Sequence, residues 1–264
     1  MRILWVLACA SALAAQSQPP SFRWPEGKKV AASLSFDDAR SSQMDTGLAL
    51  FDRFGVKVTF FVNPKNLEPR MDAWKKAAAK GYEIANHSRS HPCTGNFGWS
   101  SSNALENYTV AMIEAEMDGA NTDIERLLGV KPTTFAYPCG EKFIGRGAAT
   151  QSYVPLVARR FRAARGFRDE AANAPAFCDL AQLLGVESDG MSFDEMKETV
   201  TAAAATGGWV IFAGHEIGAG GKQTTRTDAL EQFLAYAKDP ANGVWLETVD
   251  AIARYVDAHR PAPR

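Results

Sequence analysis

Val30-Ala31-Ala32-Ser33-Leu34-Ser35-Phe36 is an uncharged run of small and apolar residues that ends abruptly in Asp37-Asp38. A run this short, without polar alternation, reads as a strand covered on both faces, as in a parallel sheet sandwiched by helices. The two carboxylates then stand at the carboxyl end of the strand. That is where parallel α/β folds assemble their binding and catalytic groups.

The same grammar repeats outward from this stretch. Asp45–Phe54 has helical spacing and stops at Gly55, Lys57–Val62 is β-rich, and Met71–Lys80 is a helix closed by Gly81. Tyr82–Asn86 reads as a strand, and a polar, glycine-rich loop runs from Ser88 to about Ser102. Ala104–Leu128 is a long helical pattern with an interruption expected near Gly119, followed by a strand at Thr134–Tyr137. Ser152–Phe161 is helical, with Pro155 in its first turn. Arg162–Arg165 and Gln182–Val186 read as strands, and Ser192-Phe193-Asp194-Glu195 is a capping box that opens a helix to Ala205. Trp209–Ala213 (strand), Thr227–Lys238 (helix), Val244–Leu246 (strand) and Thr248–His259 (amphipathic helix) complete the chain. Seven or eight strands alternating with helices predict a parallel sheet in one domain over 29–260, either a β/α barrel or a doubly wound sheet. No Gly-x-Gly-x-x-Gly or P-loop follows the first strand, which argues against a nucleotide site.

Composition sets the partner classes. The 264 residues are 46% hydrophobic and 22% charged, with a net charge of -1. Such a chain buries a core readily, and it lacks the basic excess that nucleic acid requires. Met1-Arg2 followed by the apolar run Ile3–Ala15, which ends in small residues, reads as a signal peptide over 1–15. An extended leader over 16–28 follows, and a secreted or periplasmic location is expected. No later stretch is long enough for a membrane span. Cleavage would remove Cys9 and leave Cys93, Cys139 and Cys178, so one intramolecular disulfide at most, with one thiol over. Oligomeric state leaves no mark in the sequence.

Polar residues cluster at the strand exits. Asp37 and Asp38 end the first strand, His87 and His91 follow the third, and Tyr137-Pro138-Cys139-Gly140 follows the fourth. Asp189 and His215 each follow a later strand; His259, on the last helix, is read as a surface residue. His87 and His91 are close enough along the chain to share a metal, on a turn rather than a helix because Pro92 disfavours helix at His91. Two imidazoles and one carboxylate leave a coordination position open, as a catalytic metal needs. Neighbouring aspartates point in different directions, so one can bind the metal while the other acts as general base. Taken singly, the aspartates also suit a helix cap, and His215 a packed core histidine.

Ser35-Phe36-Asp37-Asp38, Asn86-His87-Ser88-Arg89-Ser90-His91 and the late strand ending at His215 resemble the polysaccharide deacetylase family (NodB-homology domain, carbohydrate esterase family 4). The resemblance runs from about Lys29 to Tyr255. It implies a distorted (β/α) barrel of about seven parallel strands. It also implies a divalent metal, most commonly Zn2+, that serves removal of N-acetyl or O-acetyl groups from a glycan. By motif match, Asp37 is the base, Asp38, His87 and His91 bind the metal, and His215 is the acid. The Cys139 backbone N–H faces the oxyanion, and Asp189 orients His215. The third motif of the family commonly reads Arg-x-Pro-Tyr, whereas this chain has Ala136-Tyr137-Pro138-Cys139; Arg146 and Arg165 are the candidates to replace the missing guanidinium. A Cys93–Cys139 disulfide is expected because both residues neighbour these motifs, with Cys178 free.

Rival readings remain at this level. A carbohydrate-binding pseudoenzyme would keep the fold without turnover, which the intact Asp37, Asp38 and His215 argue against. A small-molecule amide hydrolase of the same superfamily is disfavoured by the signal peptide, and a two-histidine-one-carboxylate iron oxygenase by the second aspartate. Chitin oligomers, peptidoglycan, xylan and other acetylated glycans fit the motifs equally. Phe97 and Trp99, just after the histidines, either stack on sugar rings or pin their loop to the body. Gly218–Gly221 and the residues after it are a second candidate rim.

Overall fold

The computed structural model describes residues 22–261; the signal peptide expected over 1–15 and the first part of the leader lie outside the described residues. Eight strands form one sheet: β1 (Val30–Asp37), β2 (Thr59–Val62), β3 (Glu83–Asn86), β4 (Thr134–Ala136), β5 (Ala163–Arg165), β6 (Val186–Glu187), β7 (Trp209–Gly214) and β8 (Val244–Leu246). All their pairings are parallel, in the order β5-β4-β3-β2-β1-β7-β6, with β8 beside the first half of β1. A seven-strand path therefore curls into an incomplete barrel. Its two ends are stitched by a single bridge between Arg165 and Leu183.

β1 runs through the centre and is buried along its whole length. Its alternate residues do two jobs. Val30, Ala32, Leu34 and Phe36 join an outer core with Phe60, Phe212 and Phe233, covered by α1 (Leu48–Phe54), α2 (Met71–Ala79), α5 (Phe193–Ala204) and α6 (Thr227–Lys238). Ala31, Ser33, Ser35 and Asp37 alternate with these and face the interior of the curl, where α7 (Val249–His259) and Ala85, Ala136 and Ala163 pack. Small residues are required there because large groups enter from neighbouring strands. The Trp209 indole donates to Ser33 Oγ at 3.1 Å, and the Arg165 Nε donates to Ser35 Oγ at 3.0 Å. α3 (Val110–Leu128) and α4 (Val154–Arg160) cover β4 and β5 through Ile113, Met117, Tyr153 and Leu156.

Several element boundaries differ from the sequence reading. The helix expected from Ala104 begins only at Val110, because Thr109 caps it by accepting from the Met112 N–H, and it runs unbroken through Gly119. A Cβ at Gly119 would come within 3.1 Å of Arg89 Cδ, so this glycine makes room for a neighbour rather than a break. The strand expected over Gln182–Val186 is displaced to Val186–Glu187. Asp179 instead caps a short turn over Leu180–Gln182, accepting from the Ala181 N–H at 2.9 Å. The helix expected from Asp45 starts as a wide turn over Gln43–Gly47 before α1. The Ser192/Glu195 capping box forms as read, and the last helix begins at Val249 because Thr248 caps it, accepting from the Ala251 N–H.

Candidate active site

The strand exits converge on one cleft of about 730 Å³, lined among others by Asp37, Asp38, His87, His91, Cys139 and His215. The chain turns sharply there. Asp38, Ala39, Ser88, His91 and Cys139 all adopt positive φ, between 53° and 72°. For residues other than glycine such backbone is costly and persists only where the surroundings enforce it. The surroundings are visible. The buried Asn63 side chain donates to the carbonyls of His87 and Ser88, and Asn66 donates to the Asp38 carbonyl at 2.8 Å. The buried Gln43 amide donates to the carbonyls of Asp37 and His215, tying the exits of β1 and β7 together. Sequence reasoning missed these three amides. Asn63 alone left a signal, as a polar residue directly after the apolar Phe60-Phe61-Val62.

Asp38, His87 and His91 form a candidate metal centre. Asp38 Oδ1 lies 3.6 Å from His87 Nε2 and 3.5 Å from His91 Nε2. These gaps are too long for hydrogen bonds. They match the spacing of roughly 3.3–3.6 Å between ligands that each stand about 2.0–2.2 Å from one ion in a tetrahedron. The His87 Nδ1 faces the Ala136 carbonyl at 2.9 Å, which makes it the protonated nitrogen and leaves Nε2 as the lone-pair donor. Burial, with the adjacent His87 adding to it, pushes the His91 imidazole down to about 4, so it stays neutral and able to ligate. Asp38 Oδ2 turns away to Arg40 at 2.9 Å. The donor set thus fits a divalent cation with an open position.

Asp37 sits beside this centre, its Oδ2 3.9 Å from His87 Nε2, and its other oxygen is held by Arg165. Arg165 is fully buried. It also donates to the Gly166 carbonyl at 3.1 Å and lies over the Phe61 ring at 4.7 Å. Burial raises the Asp37 pKa, but Arg165, His87 and His215 outweigh it and hold the carboxyl below its usual range. Arg165 therefore occupies the position for which Arg146 was the other candidate. Arg146 instead contacts Asn107 at the surface.

Across the cleft, His215 Nδ1 lies 2.6 Å from Asp189 Oδ2, and the His215 backbone N–H donates to Asp189 Oδ1 at 3.1 Å. Thr225 donates to the same oxygen. Burial lowers the His215 pKa, but the Asp189 hydrogen bond and the charges of Asp37 and Asp189 raise it further, for a net upward shift. A Cβ at Gly214 would lie 2.2 Å from Thr225 Oγ1 and 3.1 Å from Asp189 Oδ1, so only glycine lets this cluster close.

Cys139 and Cys93 are joined in a disulfide that ties the loop after His91 to the turn after β4. Cys139 lines the cleft, and its backbone N–H has no acceptor among the described residues. Cys178 is a free, half-buried thiol, and His259 is exposed on α7. Gln223 brings the second rim to the cleft.

Comparison with known proteins agrees with this geometry. Residues 25–150 match the sequence pattern of the polysaccharide deacetylase family. The uncharacterized protein YlxY of Bacillus subtilis (strain 168) is 33% identical over 121 residues, covering 46% of this chain. The matched region spans 34% of that relative's own length. A Mycobacterium smegmatis structure described as of polysaccharide deacetylase type has a TM-score of 0.64 at 18% identity, over 94% of this chain and 98% of that one. A family 4 acetyl xylan esterase from Clostridium thermocellum, solved with a cobalt ion, has a TM-score of 0.56 at 17% identity, over 85% and 91%. At such identities these two likenesses are likenesses of fold. Over residues 25–150, the stretch that carries both aspartates, both histidines and the Tyr137–Gly140 turn, the chain matches the polysaccharide deacetylase family.

Proposed function

We propose that the protein is an extracytoplasmic, metal-dependent deacetylase that hydrolyses N-acetyl or O-acetyl groups on a glycan. The observation that carries this reading is the convergence in one cleft of an Asp-His-His ligand set, a second aspartate clamped by a buried arginine, and a histidine paired with its own aspartate. Asp38, His87 and His91 would hold a divalent cation, Zn2+ being the best match to one carboxylate and two imidazoles. When bound, such an ion supplies a Lewis acid that polarises the acyl carbonyl and acidifies water.

The chain's own residues then divide the proton work. Asp37, ionised because Arg165 and two histidines face it, accepts the proton of the attacking water on the carboxylate oxygen not engaged by Arg165. The free Cys139 N–H donates to the oxygen that gains charge as the carbonyl becomes tetrahedral. His215, with Nδ1 engaged by Asp189, offers Nε2–H to the leaving nitrogen or oxygen as the bond to the acyl carbon breaks. Acetate and a free amine or hydroxyl result. The signal-peptide pattern at the amino terminus supports a secreted or periplasmic setting, where such glycans occur. No helix among the described residues is long and apolar enough to cross a membrane.

The test is acetate release by the metal-loaded protein from chitin oligomers, peptidoglycan and acetylated xylan, with metal content measured on the same sample. Release from at least one, abolished by a chelator, is expected. Metal-loaded protein that releases none from the whole panel overturns the reading in favour of a glycan-binding pseudoenzyme.

A further inference from the structure

The loop that follows the metal-ligand histidines carries two aromatic rings that its own packing does not use. It is fastened by other means. The Cys93–Cys139 disulfide holds its start, and Ser100 Oγ is within 3.1 Å of both the N–H and the carbonyl of Cys93. Glu106 takes the Thr94 hydroxyl and the Gly95 N–H, and Asn103 donates to the Ser90 carbonyl and hydroxyl. Phe97 and Trp99, by contrast, are 40% and 65% exposed. They stack on each other with centroids 5.6 Å apart and planes 15° apart, and both line the cleft. Pinning the loop is thus not their task. Two large rings held out of the core in this way leave apolar surface in water, and such patches mark interaction sites.

Their place names the ligand. The Trp99 ring centroid is 5.9 Å from that of His91, so the platform begins about one sugar ring from the candidate metal centre. Elsewhere the cleft wall mixes amides such as Asn66 and Gln223 with the cations Arg40, Lys65 and Arg168. A pyranose ring presents axial C–H bonds on its faces and hydroxyls round its edge, which suits an aromatic floor with polar walls. A flat apolar ligand would have no use for these polar groups.

We infer that Phe97 and Trp99 form a distal subsite that stacks the sugar next to the acetylated one, so that the protein selects oligomeric over monomeric acetylated glycan. The inference rests on the deacetylase reading and goes beyond it in fixing where chain length is sensed.

The test uses the full-length mature protein with 4-nitrophenyl acetate and with β-1,4-linked N-acetylglucosamine and acetylated xylose series of one to four units. Binding is followed by tryptophan fluorescence and by calorimetry, and turnover by acetate release. Fluorescence is informative because Trp24, Trp74 and Trp209 are buried while Trp99 is the most exposed described tryptophan. In the wild type, affinity and kcat/KM should rise roughly tenfold from one unit to two or more, in line with an aromatic contact. Trp99→Ala should flatten that rise and lose the fluorescence change, while Trp99→Phe should restore part of it. Aryl acetate turnover should fall by a smaller factor than oligosaccharide turnover in both variants. A wild type with no length dependence in either series, or a Trp99→Ala variant that keeps it, overturns the subsite. A wild type that releases no acetate from any of these substrates, with length-dependent binding intact, instead overturns the deacetylase reading.

Discussion

Arg165 and Asp37 form an ion pair sealed from solvent, their side chains 0% and 3% exposed, and the arginine's other two nitrogens donate to Ser35 and Gly166. Such a pair need not add stability over an apolar one, but removing one member strands the other. Arg165→Ala should therefore lower stability by about 3–5 kcal/mol in chemical denaturation. Burial would then raise the Asp37 pKa with less opposition, so the acid limb of the pH–rate profile should move to higher pH. Arg165→Lys keeps the charge but loses the fork, and should fall between. An unshifted acid limb in a folded Arg165→Ala would show that Arg165 does not set the state of Asp37.

The two neighbouring aspartates should separate in their phenotypes. Asp38→Asn replaces an anionic ligand with a neutral one, so metal content and activity should fall together and partly return with excess zinc. Asp37→Asn should keep its metal and lose roughly 10²–10⁴-fold in kcat, because an amide cannot accept the water's proton. Metal analysis beside steady-state kinetics distinguishes them. If metal content falls in the Asp37 variant alone, ligand and base are exchanged.

The His215–Asp189 pair carries a pH signature. A histidine whose folded pKa is raised stabilises the fold fully below the unfolded value of about 6.5, and that contribution is lost as pH rises through the folded value. The alkaline limb of kcat on amide substrates should accordingly lie above that of an ordinary histidine. Asp189→Asn removes the charge that favours the imidazolium, so the limb should move to lower pH. His215→Ala should keep the metal and lose amide turnover more than aryl ester turnover, since an activated phenolate leaves without an acid. Equal losses on both substrates would make His215 structural.

Opening the Cys93–Cys139 link should be felt in stability and binding before chemistry. The closed segment has a sequence separation of 46, for which loop-entropy estimates give roughly 4 kcal/mol. Cys93→Ser, or reduction of the wild type, should lower the melting temperature and raise KM for oligosaccharides. Peptide mapping under non-reducing conditions checks the pairing, and a linkage through Cys178 would overturn it.

The strand exits were legible because chemistry-bearing residues are rare in this chain and fall in fixed places. Three of four histidines and both members of Asp37-Asp38 follow apolar runs, and those runs became strands with boundaries within a residue or two. What sequence could not separate was Arg146 from Arg165. Both follow β4, and the choice depends on β5 pairing laterally with β4, which leaves no local trace. Gln43 was invisible for the same reason, since its value lies in touching two strand exits 178 residues apart, Asp37 and His215. Where local rules failed outright, at Ala104–Thr109 and Gln182–Val186, a capping side chain overrode the propensity of the run.

Ala136 and Arg165 are register partners on adjacent parallel strands, and both belong to the inner face. A guanidinium can thus step sideways, from one strand to its neighbour, without changing the space it fills. An alignment, which moves only along the chain, scores such a step as the loss of one arginine and the chance presence of another. The two positions should then be mutually exclusive. Ala136→Arg should be harmful while Arg165 is present, because two guanidiniums compete for one buried carboxylate. The Ala136→Arg/Arg165→Ala double variant should recover activity that neither single variant has. Lineages that crossed between the two arrangements would have had to change both sites nearly together, or pass through an intermediate with an unclamped base.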